Sequence, residues 1–459
     1  MLRFCFSSLC FLCLLAVQGQ DELAFRRQAS LGKGMNLTWA EQYWRGNIQI
    51  QQTDYFETKA LYRKKAELPK MKALGVKTLR LPVCFDRWEN RVRPYSIDSV
   101  SYFTAVDSMI RWTAELNMNI IICYQHGFLQ PGNTQYDDTA RLYSLWEQIA
   151  RHYQYSNPDQ VFFSIFNEPH DITDIEWVEV ANRLIRIIRK YLPKHTLIAG
   201  GTEYNSLKGL LRMQPLEDHN IIYAVHYYEP LIFTHQGAGW MNREYQTLHV
   251  AFGDPLAALP DVADAKESGW NDYNKQLFNQ WKDSNRVLRD VRNMIQWSRM
   301  HHVPVYIEEF GSYRAADADQ RVRHMRSLRK AFEKFSIPYA WWEWDGNFSF
   351  FVEDKIPLIY EEAWGLDTLE HAPPFWKVQY VINDAALSIQ LTFEQPVNGH
   401  IALVTVERKK IRDIYLKNQQ TILIKGTGLP STEIKLSVWD ENNRLRGTYT
   451  WDLRPASLK

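Results

Sequence analysis

The stretch VFFSIFNEPH, residues 161–170, decides how the rest of the chain is read. An apolar run broken only by Ser164 ends in an amide and an acid, Asn167 and Glu168, and Pro169 stops it. A run this short and apolar on both faces reads as a strand covered on both sides. A carboxylate at the end of such a strand is costly to bury unless something pairs or uses it.

The same arrangement recurs along the chain. Short β-like runs are LGKGMNL (31–37), VKTLRLPV (76–83), NIIICYQH (119–126), VFFSIFNE (161–168), HTLIAGG (195–201), NIIYAVHYY (220–228), VPVYIEEFG (303–311) and IPYAWWEWD (337–345). Helical patterns with apolar residues at i, i+3 and i+4 lie between them, over 62–75, 99–117, 140–153, 175–192, 284–302 and 317–335. Pro69 interrupts the first of these and predicts a kink or a division into two pieces. Eight strands alternating with helices predict an α/β fold, a (β/α)8 TIM barrel. An open doubly wound sheet is the alternative, but no glycine-rich phosphate loop follows the first strand.

A barrel places its chemistry at the C-terminal ends of its strands. Arg80 is near the end of strand two, His126 ends strand three, and Asn167 and Glu168 end strand four. His226 and Tyr228 end strand six, Glu309 ends strand seven, and Trp342 and Trp344 lie on strand eight. Two glutamates from opposite parts of the ring can face each other across the mouth, as glycoside hydrolysis requires. One carboxyl donates a proton to the leaving oxygen while the other, ionised, attacks the anomeric carbon. Arg80 beside the nucleophile would hold it ionised, and Tyr228 could donate to the same carboxylate. Glu308 is a rival for the nucleophile. Strand alternation puts Val305, Ile307 and Glu309 on one face, so aliphatic barrel-filling residues are expected to lead to Glu309, with Glu308 in phase with Tyr306.

With these residues in place, the chain resembles glycoside hydrolase family 5, the cellulase-type branch of the retaining barrel hydrolases. The resemblance rests on GKGMNL, LRLPV, the His of YQHG, FNEP, HYYEP followed by FTHQGAGW, YIEEFG and WWEWDGNF, in order from residue 31 to about 366. It implies Glu168 as acid/base, Glu309 as nucleophile, Arg80 and Tyr228 in contact with the nucleophile, and Asn167 on the sugar 2-hydroxyl. His126 and His226 would line the cleaving subsite, and Trp342 would be a sugar platform. Asn36, Trp39, Trp240 and Trp344 are further candidates for sugar contact. The family needs no metal, so no cofactor is implied. Gln125 and Glu308 stand where members often carry other residues.

Composition bounds the remainder. The chain has 459 residues with 54 Lys and Arg against 53 Asp and Glu, a balance that gives no hint of nucleic acid or an anionic membrane as partner. Seventeen Trp and 24 Tyr serve cores and sugar stacking alike. Residues 1–19, MLRFCFSSLCFLCLLAVQG, have the pattern of a secretory signal, with a retained membrane anchor as the rival. The expected product is a secreted monomer, extracellular or periplasmic, free of the membrane once the signal is removed. Cys84 and Cys123 then remain, both in apolar surroundings, as buried free thiols. Asn36 and Asn347 begin glycosylation sequons by pattern. After about residue 375 the texture alternates apolar and polar, as in ALSIQLTFE and TEIKLSVWD. The expected division is therefore a catalytic domain over 20–374 and a small antiparallel β-sandwich over 375–459, either a carbohydrate-binding module or a buttress. The reading is a β-glycan hydrolase, endo-β-1,4-glucanase first, with β-mannanase, exo-β-glucanase or a non-catalytic carbohydrate-binding protein as alternatives.

Overall fold

The computed structural model describes residues 22–38, 60–85, 93, 95–97, 100–125, 129, 138–241, 247–253, 276, 278–279, 285–349 and 358–365, together with backbone strands between Trp376 and Asp452. Residues 1–19, read from sequence as a secretory signal, Trp39 and His126 lie outside these residues. Two compact units are distinguished. The first takes the chain to Tyr228, then Val287–Gly311 and Lys330–Gly346; the second takes Glu229–Arg286, Ser312–Arg329 and Asn347–Lys459.

The first unit holds a closed barrel of eight parallel strands in sequence order. They are β1 (Lys33–Asn36), β2 (Thr78–Val83), β3 (Asn119–Tyr124), β4 (Val161–Ser164), β5 (Leu197–Gly200), β6 (Ile221–His226), β7 (Val305–Phe310) and β8 (Tyr339–Trp341). β8 pairs back onto β1, with Ala340 opposite Gly34, which closes the ring. Each of the eight runs read from sequence contains one of these strands. The helices are α1 (22–31), α2 (Ala60–Ala73), α3 (Val100–Glu115), α4 (Asp138–His152), α5 (Asp174–Arg189), α6 (Asn285–His301) and α7 (Ala318–Lys334). Pro69 does not divide α2, which runs through it; Leu68 and Met71, both fully buried, hold the turn that the proline weakens. A capping box at Thr173 and Glu176 starts α5.

Side-chain alternation sorts the strand residues into two layers. Phe163 packs outward on Trp146 and Tyr153, with ring centroids 6.2 and 5.6 Å away, and Tyr223 on Trp297 at 5.2 Å. Their neighbours Phe162, Ile222 and Ala224 therefore face inward, where they meet Ile121, Ile198, Tyr306, Ala340 and Leu31 in one cluster. Two helix tryptophans tie the outer layer to the strand ends. Trp146 donates its indole N–H to the Ile165 carbonyl at 2.9 Å, and Trp177 donates to that of Gly200 at 2.8 Å. Both are fully buried, and truncating either to Ala would cost about 3–5 kcal/mol.

β7 departs from the alternation expected for it. Tyr306, not Val305 or Ile307, belongs to the inner cluster. The register between β6 and β7 then slips: Val225 lies opposite Ile307 but His226 opposite Glu309, leaving Glu308 as the extra residue of a bulge. Beyond it Phe310 packs outward on Phe332 at 5.3 Å. Glu308 and Glu309 thus both turn inward.

The second unit contains five antiparallel strands, β9 (Trp376–Asn383), β10 (Ala386–Thr405), β11 (Lys410–Thr427), β12 (Glu433–Asp440) and β13 (Leu445–Asp452). β10 and β11 form a long hairpin; β9 pairs with β10 over Ala386–Phe393, and β12 pairs over Gly399–Thr405. The short helix Leu358–Ala363 lies against β13. Among the described residues no helix is long and apolar enough to cross a membrane.

Candidate active site

Arg80 organises the C-terminal mouth of the barrel. Carried inward on β2 and fully buried, its guanidinium reaches four strands. Nη1 donates to Glu309 Oε1 at 2.6 Å and to Asn36 Oδ1 at 2.9 Å. Nη2 donates to Asn167 Oδ1 at 2.6 Å and to Cys123 Sγ at 3.1 Å. Nε lies 3.0 Å from Glu308 Oε1. Burial weighs against the charge, yet Cys123, Glu308 and Glu309 hold the guanidinium pKa above its ordinary value.

Glu309 is held from both sides. Tyr228 donates its hydroxyl to Oε2 at 2.8 Å, opposite the Arg80 contact on Oε1. Burial, and then Glu309 and Glu168, raise the Tyr228 phenol, so it stays protonated and remains a donor. Glu168 is the more open acid, its side chain 30% exposed, and Oε1 sits 2.7 Å from His226 Nδ1. The other edge of that imidazole, Nε2, is 3.5 Å from Glu309 Oε1 and 3.7 Å from Glu308 Oε2. Burial alone would discharge His226, but Glu309, Glu168 and Glu308 raise it to about 9. Burial would likewise raise Glu308, but Arg80, His226 and the Ser164 hydroxyl outweigh it and hold it down to about 2. For Glu309 burial wins: together with Glu168 it raises the carboxyl against the pull of His226, Arg80 and Tyr228.

The sequence candidates divide accordingly. Arg80, Asn167, Glu168, His226, Tyr228 and Glu309 converge on one site. Asn36 belongs to it, but from beneath: it is fully buried, and Nδ2 donates to the Glu308 and Trp341 carbonyls, both at 3.1 Å. It therefore holds Arg80 and the β7 bulge in place and does not face a substrate, and its sequon cannot carry a glycan in the folded state. Trp344 is also a correction: fully buried, it donates its indole N–H to Glu67 at 3.1 Å and packs the wall. Trp342, in inward phase with Ala340, is half-buried and follows β8 at the rim. Trp240, in the second unit, is 52% exposed with its ring edge-on to Tyr313 at 5.0 Å. Cys84 and Cys123 are buried thiols in no disulfide, and burial raises the Cys123 thiol far above its usual range.

Some neighbours of the site were not legible. Glu343, buried after Trp342, accepts from Thr38 Oγ1 at 2.5 Å and helps to raise Tyr228. Tyr204 stacks on His170 at 4.6 Å, and its backbone N–H donates to Pro169. It stands in a left-handed run, Glu203, Tyr204 and Asn205, with φ of 53, 60 and 57°. Three consecutive non-glycine residues in that region are rare and leave no mark in a propensity pattern.

Glu168, His226 and Glu309 offer donor atoms all within 4.8 Å of one another, close enough to approach a cation. The Arg80 charge already on Glu309 opposes a second positive charge there. The arrangement suits a pair of opposed carboxyls with separate roles: one enclosed by fixed donors, the other open to solvent on an imidazole.

Residues 38–348 match the family model of cellulase, glycosyl hydrolase family 5. The chain belongs to that family. Endoglucanase 3 of Fibrobacter succinogenes is 29% identical over 316 residues, covering 64% of this chain and 47% of that protein, so the chain spans less than half of that relative. Among solved structures, endoglucanase Cel5A from the hyperthermophilic Thermotoga maritima superposes with a TM-score of 0.59 at 26% identity, covering 74% of this chain and 99% of that one. The same enzyme in complex with mannotriose gives 0.60 at 25% identity, with 74% and 99% coverage.

Proposed function

We propose that this family 5 chain is a retaining β-glycanase, acting first on β-1,4-glucan within the chain, with Glu309 as nucleophile and Glu168 as acid and then base. The observation that carries this reading is the closeness of the two carboxyls, whose nearest oxygens lie within 4.8 Å. Retaining enzymes hold theirs about 5–5.5 Å apart, whereas inverting enzymes leave about 6.5–9.5 Å for a water between them.

In the first step a Glu309 oxygen forms a bond to the anomeric carbon while the bond to the leaving oxygen breaks. Glu168 gives that oxygen its proton, and the shortened glycan departs as an alcohol. His226 Nδ1–H on Oε1 leaves the other Glu168 oxygen to carry the proton. In the second step Glu168 takes a proton from water, the water oxygen bonds to the same carbon, and Glu309 leaves as a carboxylate. Two inversions give retention. Arg80 and Tyr228 neutralise and orient Glu309 in both steps. Asn167 has its Oδ1 engaged by Arg80, which turns its NH2 outward as a donor for the sugar 2-hydroxyl.

The substrate reading follows the relatives' names. The mannotriose complex of a structural neighbour favours β-mannan as the second substrate to test. A purely carbohydrate-binding role is disfavoured because Arg80, Glu168, Tyr228 and Glu309 are all present. Secretion through residues 1–19, the monomeric state and a boundary near residue 375 are part of the same proposal. The pairing of β10 with both β9 and β12, across a shift between Thr392 and Gly399, is compatible with two layers of a sandwich.

The test is a product profile on cellulose, mixed-linkage glucan, mannan, xylan and β-1,3-glucan, with the anomer of the first product read by proton NMR. Oligosaccharides released from cellulose or mixed-linkage glucan as the β-anomer are expected. An α-anomer appearing first would refute retention, and release from mannan alone would replace the glucanase reading.

A further inference from the structure

Glu308 is unexplained by a double displacement that uses Glu168 and Glu309. It is fully buried, and a carboxylate in that position is expensive unless its partners need it. Its side chain enters the barrel in phase with Tyr306, β7 then bulges so that Glu309 turns inward as well, and Asn36 Nδ2 caps the Glu308 carbonyl at 3.1 Å. The fold therefore accommodates an interruption of the ladder at the one strand that carries the nucleophile.

The carboxylate stands between two cations. Oε1 is 3.0 Å from Arg80 Nε, and Oε2 is 3.7 Å from His226 Nε2. We propose that Glu308 is a positioning residue, an ionised carboxylate inserted beneath the nucleophile that fixes the plane of Arg80 and keeps His226 protonated on both nitrogens. This rests on the reading of Glu309 as nucleophile and Glu168 as acid/base.

Two physical arguments support it. A guanidinium is planar, so the Glu308 carboxylate in ion-pair contact with Nε at 3.0 Å restrains the plane while the two Nη groups bond elsewhere, which limits the swing of the Nη1 contact on Glu309. The imidazole argument concerns tautomers. A neutral His226 has one ring proton, and the form lacking it at Nδ1 would compete for the proton that Glu168 must deliver. A doubly protonated ring always presents Nδ1–H to Glu168 and cannot take its proton. Keeping that charge in a buried site next to Arg80 requires an anion on the Nε2 edge. Glu309 is there too, but its charge is consumed when it bonds to sugar. Glu308 keeps its charge throughout the cycle. The groups facing this pair are Arg80 from β2, Cys123 from β3, Ser164 and Glu168 from β4 and its end, Tyr228 after β6, and Tyr306 and Glu309 from β7. The Cys123 thiol and the Tyr228 and Tyr306 phenols are raised by burial and remain neutral.

The experiment combines histidine-selective NMR with kinetics on the full chain. In the unaltered enzyme the His226 ring, assigned by difference against H226Q, should titrate well above 6.5, its ordinary value. In E308Q that titration should fall by at least about one pH unit. The kcat for a glycan with a poor leaving group should drop at least about tenfold with little change in KM. E308D, which keeps the charge on a shorter arm, should restore most of the titration shift. His226 titrating near 6.5 in the unaltered enzyme overturns the proposal, and this holds even if E308Q fails to fold. An E308Q enzyme that loses only thermal stability, with kcat and His226 unchanged, also overturns it. Labelling of the unaltered enzyme by a 2-deoxy-2-fluoro glycoside separates the two levels. No adduct on Glu309 sinks the hydrolase reading and this inference with it; an adduct with an indifferent E308Q sinks the inference alone.

Discussion

Glu308 and Glu309 are neighbours in the chain, and both face into the barrel. A bulge in β7 gives them the same side of the sheet, and one guanidinium, Arg80, meets both, at 3.0 Å and 2.6 Å. A regular strand would have sent one of them outward among the helices. The electrostatics of the site and most of the expectations below depend on this pairing.

On the proposed mechanism, Glu168→Gln removes the proton donor but keeps the shape. The kcat on glycan should fall by about 10²–10⁴, the usual contribution of a positioned acid. An aryl glycoside whose phenol leaves unaided should suffer far less in its first step. Steady-state and burst kinetics on both substrates check this; equal losses on the two would contradict the acid role.

Arg80→Lys keeps the charge and loses the fork. One ammonium cannot reach Glu309, Asn167, Asn36 and Glu308 together. We expect kcat/KM to drop roughly a hundredfold or more, the scale of losing one oriented donor at the reacting centre. Stability should fall by about 3 kcal/mol, because a buried carboxylate loses its partner. Urea unfolding and kinetics together read both, and a variant with near-normal turnover would refute the assigned role.

Tyr228→Phe deletes the hydroxyl that donates to Glu309 Oε2 at 2.8 Å. A hydrogen bond to a charged group is worth about 1.5–3 kcal/mol. The expected result is a kcat lower by roughly 10- to 100-fold with a nearly unchanged fold. Circular dichroism and kcat measured side by side decide it.

The pH behaviour follows from the signs of the shifts. As the proposed nucleophile Glu309 must be ionised to attack, and burial together with Glu168 raises it above its ordinary 4.5. Activity should therefore vanish as pH falls through a value above 4.5; an acidic limb of kcat/KM below that value would contradict the assignment. His226 is raised from 6.5 to about 9 on folding, so its stabilisation is full below 6.5 and lost as pH rises through about 9. The difference in unfolding free energy between the unaltered chain and H226Q should shrink across that window and should not stay flat.

Gly200→Ala tests the scaffold next to the site. A Cβ there would lie 1.6 Å from Asn205 Oδ1, a fully buried side chain in the left-handed run that carries Tyr204. Displacing it should cost about 1–3 kcal/mol. In a chain of this size that lowers Tm by roughly 1–1.5 °C per kcal/mol, which calorimetry reads. An unchanged Tm would mean that Asn205 moves freely.

Much of this protein is legible in its sequence. Period and composition are local properties, so eight apolar runs separated by amphipathic helices were enough to name the barrel, and each run contains a strand. The ends of those runs were enough to name Arg80, Asn167, Glu168, His226, Tyr228 and Glu309, because polar groups after a covered strand have one place to go. What alternation alone decided wrongly was the inner face of β7. It assigned Val305 and Ile307 to the interior, where Tyr306 lies, since a bulge is a mismatch between two strands and neither strand records it alone. The same holds for Asn36 and Trp344, read as sugar contacts and found holding the barrel together. Whether a polar side chain faces a ligand or a carbonyl depends on what lies opposite, and what lies opposite Asn36 is Glu308, 272 residues away. The sequence by itself determined the ring and the placing of Glu168 and Glu309 at its mouth. The tertiary structure alone decided that a third carboxylate sits beneath them, because only the closed barrel brings Arg80, His226 and Glu308 into one low-dielectric space where each charge requires the others.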